Sequence, residues 1–307
     1  MKKRYSMGSA DIQQRADFVL KKFGLIFNHL EISRILTVPY LVLKEDEITG
    51  ILMLPRQTAI EDFERIIRFS FANMFNPIED GLNRNAVDLS LIFLYYLKSI
   101  ESTTLLIEYL RQDVEYMYIW QNNGAIESFT WPVFAYCAMY NPKRFVSFAL
   151  EPDLYLWNRV VAPQSLAKVA IIHPELYENT IEIFKDMLMK YYIKHNDRRV
   201  FDPEFVGILE KEVIEMGATE LLTDLQIFHD EKLVDESYWG SFAKVSRRTF
   251  KGKLSPEAVK PKSIFETLKS FGRHCYTKGD EEDDFLWIMD VSNDEPVEES
   301  GYAMIGL

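Results

Sequence analysis

Ser99-Ile100-Glu101, Tyr140-Asn141-Pro142, His173-Pro174-Glu175 and Met216-Gly217-Ala218 are four short breaks in a chain otherwise ruled by apolar periodicity. Each separates two segments whose apolar residues recur at helical spacing. The breaks are centred near residues 100, 141, 174 and 217, about 30–45 residues apart. That is the spacing of stacked helix pairs, none of which buries its apolar face alone. The fold expected is all-α: an α-solenoid of stacked antiparallel helix pairs, with short irregular or β segments near the N-terminus.

Working outward, Ala86–Ile100 pairs with Ser102–Arg111, and Phe129–Met139 with Pro142–Leu150. Trp157–Ile172 pairs with Pro174–Ile193, and Asp202–Met216 with Ala218–Asp230. Pro142 and Pro174 stand where a first helical turn tolerates proline, and Asp202-Pro203 reads as an N-cap followed by proline. Ala86–Ile100 is apolar nearly all round, which predicts burial between neighbours. Upstream, Ala59–Phe75 is helical by period. Residues 9–23 predict a first helix with Ser9 as its cap and Gly24 after its last turn. Residues 35–43 are apolar and β-branched around Pro39, which disfavours a helix interior and suggests a strand or extended segment.

This divides the chain into a cap segment (1–58), a helical-repeat domain (59–243), a basic linker (244–262), and a C-terminal helix with an acidic tail (263–307). The formal charge of −12 belongs mostly to that tail. Residues 279–307 hold ten of the 47 acidic residues and no Lys or Arg, leaving 37 acids against 35 bases in the body. Such a balance does not announce a nucleic acid or an anionic membrane. No stretch approaches the ~20 uncharged apolar residues that span a bilayer. The start, Met1-Lys2-Lys3-Arg4, is followed by polar residues, not by the apolar region of a secretion signal. The two cysteines, Cys137 and Cys275, are far apart and fit a reducing cytoplasm better than a disulfide framework.

Catalytic and metal signatures are missing. The five histidines, His29, His173, His195, His229 and His274, lack zinc-motif spacing, and no phosphate loop, dinucleotide fingerprint or Gly-x-Ser-x-Gly occurs. Cys137 has no base nearby in sequence and reads as buried and inert. Catalytic and metal-ligating residues, and cofactors, are therefore expected to be none, and a non-catalytic role is favoured.

Three stretches carry a resemblance. They are Leu-Ile-Phe-Leu-Tyr-Tyr-Leu-Lys (91–98), Ala-Pro-Gln-Ser-Leu-Ala-Lys-Val-Ala (162–170) and Glu-Met-Gly-Ala-Thr-Glu-Leu-Leu (215–222), the last followed by His229–Asp235. In this order, over about residues 86–240, they resemble a bacterial family of unknown function with HEAT-like helical repeats. The resemblance implies the repeat fold. It implies no reaction, because that family has no assigned catalytic residues to carry over. Some members end in a zinc-binding Cys/His tail; this chain has only His274-Cys275 there.

Two regions are candidates for binding. Residues 116–157 hold twelve aromatics, about twice the density of the whole chain. They suggest either an aromatic core or a groove bordered by Trp120, Glu127, Trp131, Trp157 and Arg159. The basic run 244–262 holds seven Lys and Arg against Glu257 alone, and Arg247, Arg248, Lys251 and Lys253 would grip a phosphate backbone. No aromatic platform interleaves them in sequence. The leading reading is a non-catalytic scaffold binding a protein or peptide partner on its concave face. The alternatives are a nucleic-acid-binding or nucleic-acid-processing repeat protein, and a hydrolase with a dispersed site drawing on residues such as Glu127 and Arg159. The apolar septet 285–291 is expected to dock on the body, guided by its acidic flanks.

Overall fold

The computed structural model describes residues 9–39, 41–73, 77, 80–120, 126–271 and 276–277. The docking expected of residues 285–291 lies outside them. The described part is all-α. Sixteen α-helices and a few 3-10 turns account for nearly all of its regular structure, beside two two-residue strands. Among the described residues no helix is long and apolar enough to cross a membrane.

Four helices form the N-terminal part: α1 (Ser9–Phe23), α2 (Leu30–Thr37), α3 (Glu45–Met53) and α4 (Arg56–Ala72). Gly24 ends α1 with φ +64°, a conformation that costs glycine nothing. The segment around Pro39 departs from the extended reading. Its first residues form the end of α2, and only Leu43–Lys44 is a strand, β1. Pro39 lies two residues beyond the helix end, so it stops α2 and does not interrupt it. Helix α3 holds the acidic run Glu45-Asp46-Glu47 in its first turn. Glu47 reaches back to the N–H of Lys44 at 2.9 Å, which closes the helix start. The buried carboxylate of Asp62 on α4 accepts from the N–H groups of Asn28 (2.9 Å) and His29 (2.8 Å). Those are donors at the open N-terminus of α2, so the cap segment is pinned to α4 through them.

The middle of the chain follows with α5 (Ala86–Tyr96), α6 (Thr103–Leu110), α7 (Val114–Trp120), a π-helical turn (Ile126–Thr130), α8 (Trp131–Tyr140) and α9 (Pro142–Ala149). Then come α10 (Leu156–Arg159), α11 (Val161–Ile172), α12 (Tyr177–Ile193), α13 (Pro203–Met216) and α14 (Leu222–Asp230). The start and stop signals act locally as anticipated. Asp202 accepts from the N–H of Glu204 at 2.9 Å, and Gly217 closes α13 at φ +65°. Every residue from Ala86 to Leu94 is buried, as an all-round apolar helix requires.

The first helices of successive pairs lie side by side: α5 on α8, α8 on α11, α11 on α13. Among the second helices α9 touches α12 and α12 touches α14. One continuous apolar core runs from Val19 to Leu268.

The C-terminal part departs from the linker reading of residues 244–262. Residues 244–262 are packed, not free. They include most of α15 (Phe242–Thr249), which sits on α13 and α14 through buried Val245 and Thr249, and a 3-10 turn, Pro256–Val259, on α11. The helix α16 (Ile264–Phe271) does not cover the last pair. It returns to α5 and the π-helical turn, and the strand β2 (Tyr276–Thr277) pairs in parallel with β1. Thus α15 covers the last pair instead, because its strongly one-sided apolar face needs a partner immediately after α14.

Candidate functional site

Residues 250–263 form a strap across the row of first helices. Near its start Gly252 lies so close to α13 that a Cβ there would meet Ile214 Cγ2 at 2.7 Å and the Arg248 carbonyl oxygen at 2.8 Å. The N–H of Leu254 donates to the carbonyl of Glu215 at 2.8 Å. The strap then crosses α11 and reaches α5, where the Tyr96 hydroxyl donates to the carbonyl of Lys262 at 2.6 Å and lies 2.9 Å from Thr267 Oγ1. Phe271, at the end of α16, meets the edge of Phe129 with centroids 5.2 Å apart.

Between the strap, the start of α8 and the Lys168 turn of α11 lies a cleft of about 250 Å³. Phe129, Trp131 and Pro132 form its apolar wall. Lys168 enters from α11, and Lys260 and Lys262 from the strap. The Lys168 ammonium stands 5.0 Å from the Trp131 ring centroid, within cation–π range. Ser128, Thr267 and Ser270 add hydroxyls, and no Asp or Glu is among the described lining residues.

Of the four described side chains among the five residues expected to border one groove, Trp131 lines this cleft and Trp120, Trp157 and Arg159 do not. Trp120 is fully buried; its indole N–H donates to the Asn73 carbonyl at 2.9 Å and its ring meets Phe69 edge-on. Arg159 is also buried. Its Nε donates to the Ala149 carbonyl at 3.0 Å, and its guanidinium lies 4.9 Å from the Phe205 centroid and 5.6 Å from that of Tyr191. It is a core cation held over two rings, which removes it from any surface site. Trp157 is 44% exposed on α10. Glu127 lies in the π-helical turn, and its side chain is outside the described residues. Tyr116, Phe134, Phe145 and Phe148 are core residues too, whereas Tyr118, Tyr140, Tyr155 and Trp157 are exposed, so the aromatic density of 116–157 is divided between core and surface.

The basic run separates into distinct places. Arg247 and Arg248 are exposed at the end of α15, with Arg248 5.3 Å from the Trp239 ring centroid. Lys251 is exposed on the strap. Lys253 stands 5.4 Å from the Tyr177 centroid in a second cleft, of about 610 Å³, beside Glu175 and Glu178. Lys260 and Lys262 belong to the Trp131 cleft. Lys168 escaped sequence reasoning, although a signal was present: it is the one charged residue of α11, an otherwise apolar and largely buried helix.

A second polar feature lies under α15. His229 Nε2 is 2.6 Å from Glu210 Oε1, and His229 Nδ1 is 3.2 Å from Glu236 Oε1. Burial pushes the Glu210 carboxyl up to about 7, against the opposing pull of His229. The Cys137 thiol is buried and pushed up to about 11 by that burial. Among the described residues no three His, Cys, Asp or Glu side chains converge as a metal site.

No family model matches the chain, and neither curated proteins nor solved structures give a match. The comparisons give the resemblance over residues 86–240 no support.

Proposed function

We propose that the protein is a helical-repeat scaffold, an α-solenoid whose row of first helices binds a protein or peptide partner at the Trp131 cleft. The side-by-side order α5, α8, α11, α13 supports the repeat architecture. The observation that carries the binding reading is the cleft itself. It offers a partly exposed Trp ring, beside cations and hydroxyls, on a face already shaped to receive an extended chain, since the strap lies along it. Trp with a polar surround is the composition of a binding centre.

The nucleic-acid reading draws less support. A backbone-tracking groove needs a continuous line of cations. Arg248 and Lys253 stand on separate rings, and Lys253 has two glutamates beside it.

Selection from a displayed random peptide library tests the proposal. Peptides enriched on the wild-type chain and lost on Trp131→Ala, with unchanged helical circular dichroism, are the expected result. Enriched peptides indifferent to Trp131→Ala would place the binding face elsewhere and overturn the reading.

A further inference from the structure

The inference rests on the Trp131 cleft as partner site and adds the chemistry of that partner. We infer that the cleft takes an acidic peptide segment, its carboxylates facing Lys168, Lys260 and Lys262 and one apolar or aromatic side chain lying against Trp131.

Charge complementarity argues for it. Three lysines line one small cleft, with no carboxylate among its described lining residues; the nearby Glu266, which accepts from the N–H of Ser263, feels the charge of Lys262 alone of the three. The body as a whole is nearly neutral, with 37 acids and 35 bases outside residues 279–307, so this local excess is a feature of the site and not of the composition. A cation lodged over Trp131 raises the potential at the aromatic wall, where an acidic side chain approaches. The hydroxyls of Ser128 and Ser270 can donate to the same carboxylates.

Size decides between an acidic peptide and a phosphate backbone. About 250 Å³ holds one or two side chains, and the remaining cations of the basic run point to other places. A short acidic peptide needs only the local trio, whereas a nucleic acid gains affinity through each further phosphate neutralised.

The strap supplies two of the three lysines, so the site is incomplete without it. Its seat depends on the close approach of Gly252 to α13. Partner binding and strap seating are therefore coupled: a bound acidic segment holds Lys260 and Lys262 in place, and a lifted strap leaves Lys168 alone.

The full chain is titrated into a fluorescein-labelled peptide of six glutamates and one phenylalanine, read by anisotropy. The matching six-lysine peptide and a ten-residue thymidine oligonucleotide serve as comparators. The acidic peptide alone should bind. The charge reversals Lys260→Glu/Lys262→Glu and Lys168→Glu should each weaken it by at least about tenfold, and added salt should weaken it as well, since the Debye length is about 8 Å at physiological ionic strength. All three lysines line an open cleft, so the reversals leave helical circular dichroism intact. Acidic-peptide binding indifferent to both reversals overturns the inference, as does binding of the oligonucleotide with the same lysine dependence. Library peptides that need Trp131 but carry no acidic residues would sink the charge assignment and leave the scaffold reading standing. Failure of every peptide sinks both.

Discussion

The hydroxyl of Tyr96 donates to the carbonyl of Lys262 at 2.6 Å, joining α5 to a residue 166 positions further along the chain. With Leu254 on Glu215, it is one of the few hydrogen bonds that hold the strap to the helices. Tyr96→Phe removes it and leaves the ring in place, at a cost of about 1 kcal/mol. Trypsin should then cut after Lys253 and Lys262 several-fold faster, while unfolding of the helices is nearly unchanged. Equal cleavage rates in both proteins would show that this bond does not hold the strap.

Gly252 should tolerate no side chain. A Cβ would sit 2.8 Å from the Arg248 carbonyl oxygen, which is backbone and cannot swing aside. Gly252→Val is expected to destabilise the chain by about 1–3 kcal/mol in urea denaturation, with strap cleavage accelerated more than in Tyr96→Phe. An unchanged midpoint would rule out the close seat.

Glu210 should make stability fall as pH rises. Its carboxyl sits at about 7 in the folded chain, raised from its ordinary value of 4.5 chiefly by burial. The folded state therefore holds the proton more tightly than the unfolded one. The stabilisation is complete below pH 4.5 and disappears as pH climbs to about 7. Because other carboxylates titrate across the same range, the comparison is with Glu210→Gln. Wild-type stability should decline relative to that variant between pH 4.5 and 7, by up to roughly 3 kcal/mol. Parallel pH curves for the two proteins would refute the assignment.

Cys137 should resist thiol reagents. With the thiol pushed up to about 11, very little thiolate is present at pH 8, and the sulfur is buried. In a Cys275→Ser background, reaction with a disulfide reagent should run at least about a hundredfold slower in the native chain than in denaturant. Rapid native labelling would show that the helix α8 opens readily.

How much was legible depends on sequence separation. The boundaries of α9 and α13 follow from Pro142, the Asp202-Pro203 pair and Gly217, because capping and proline geometry act within one turn. The all-round apolar pattern of α5 announced its burial for the same local reason. Around Pro39 the local signal was right only in part: β-branched composition suggested extension from Ile35 onward, but Ile32, Ile35 and Leu36 lie on one buried face, and packing carries α2 to Thr37 before the chain turns extended at Val38.

The aromatic cluster shows the limit more sharply. Trp120 and Trp131 are eleven residues apart and of one type, yet one donates to Asn73 in the core and the other borders a cleft. Composition registers both as aromatic; only their tertiary surroundings separate them.

By itself, then, the sequence determined the helices, the short breaks between them, and a near-neutral body with an acidic end. These are set by period, capping and charge, all readable over a few residues. The tertiary structure alone decided that α16 returns to α5, that the strap crosses the first helices, and that Lys260 and Lys262 line one cleft with Lys168 and Trp131. Those contacts join residues on the order of a hundred positions apart. They arise from shape fit, such as Gly252 against Ile214, which leaves no periodic trace in the chain.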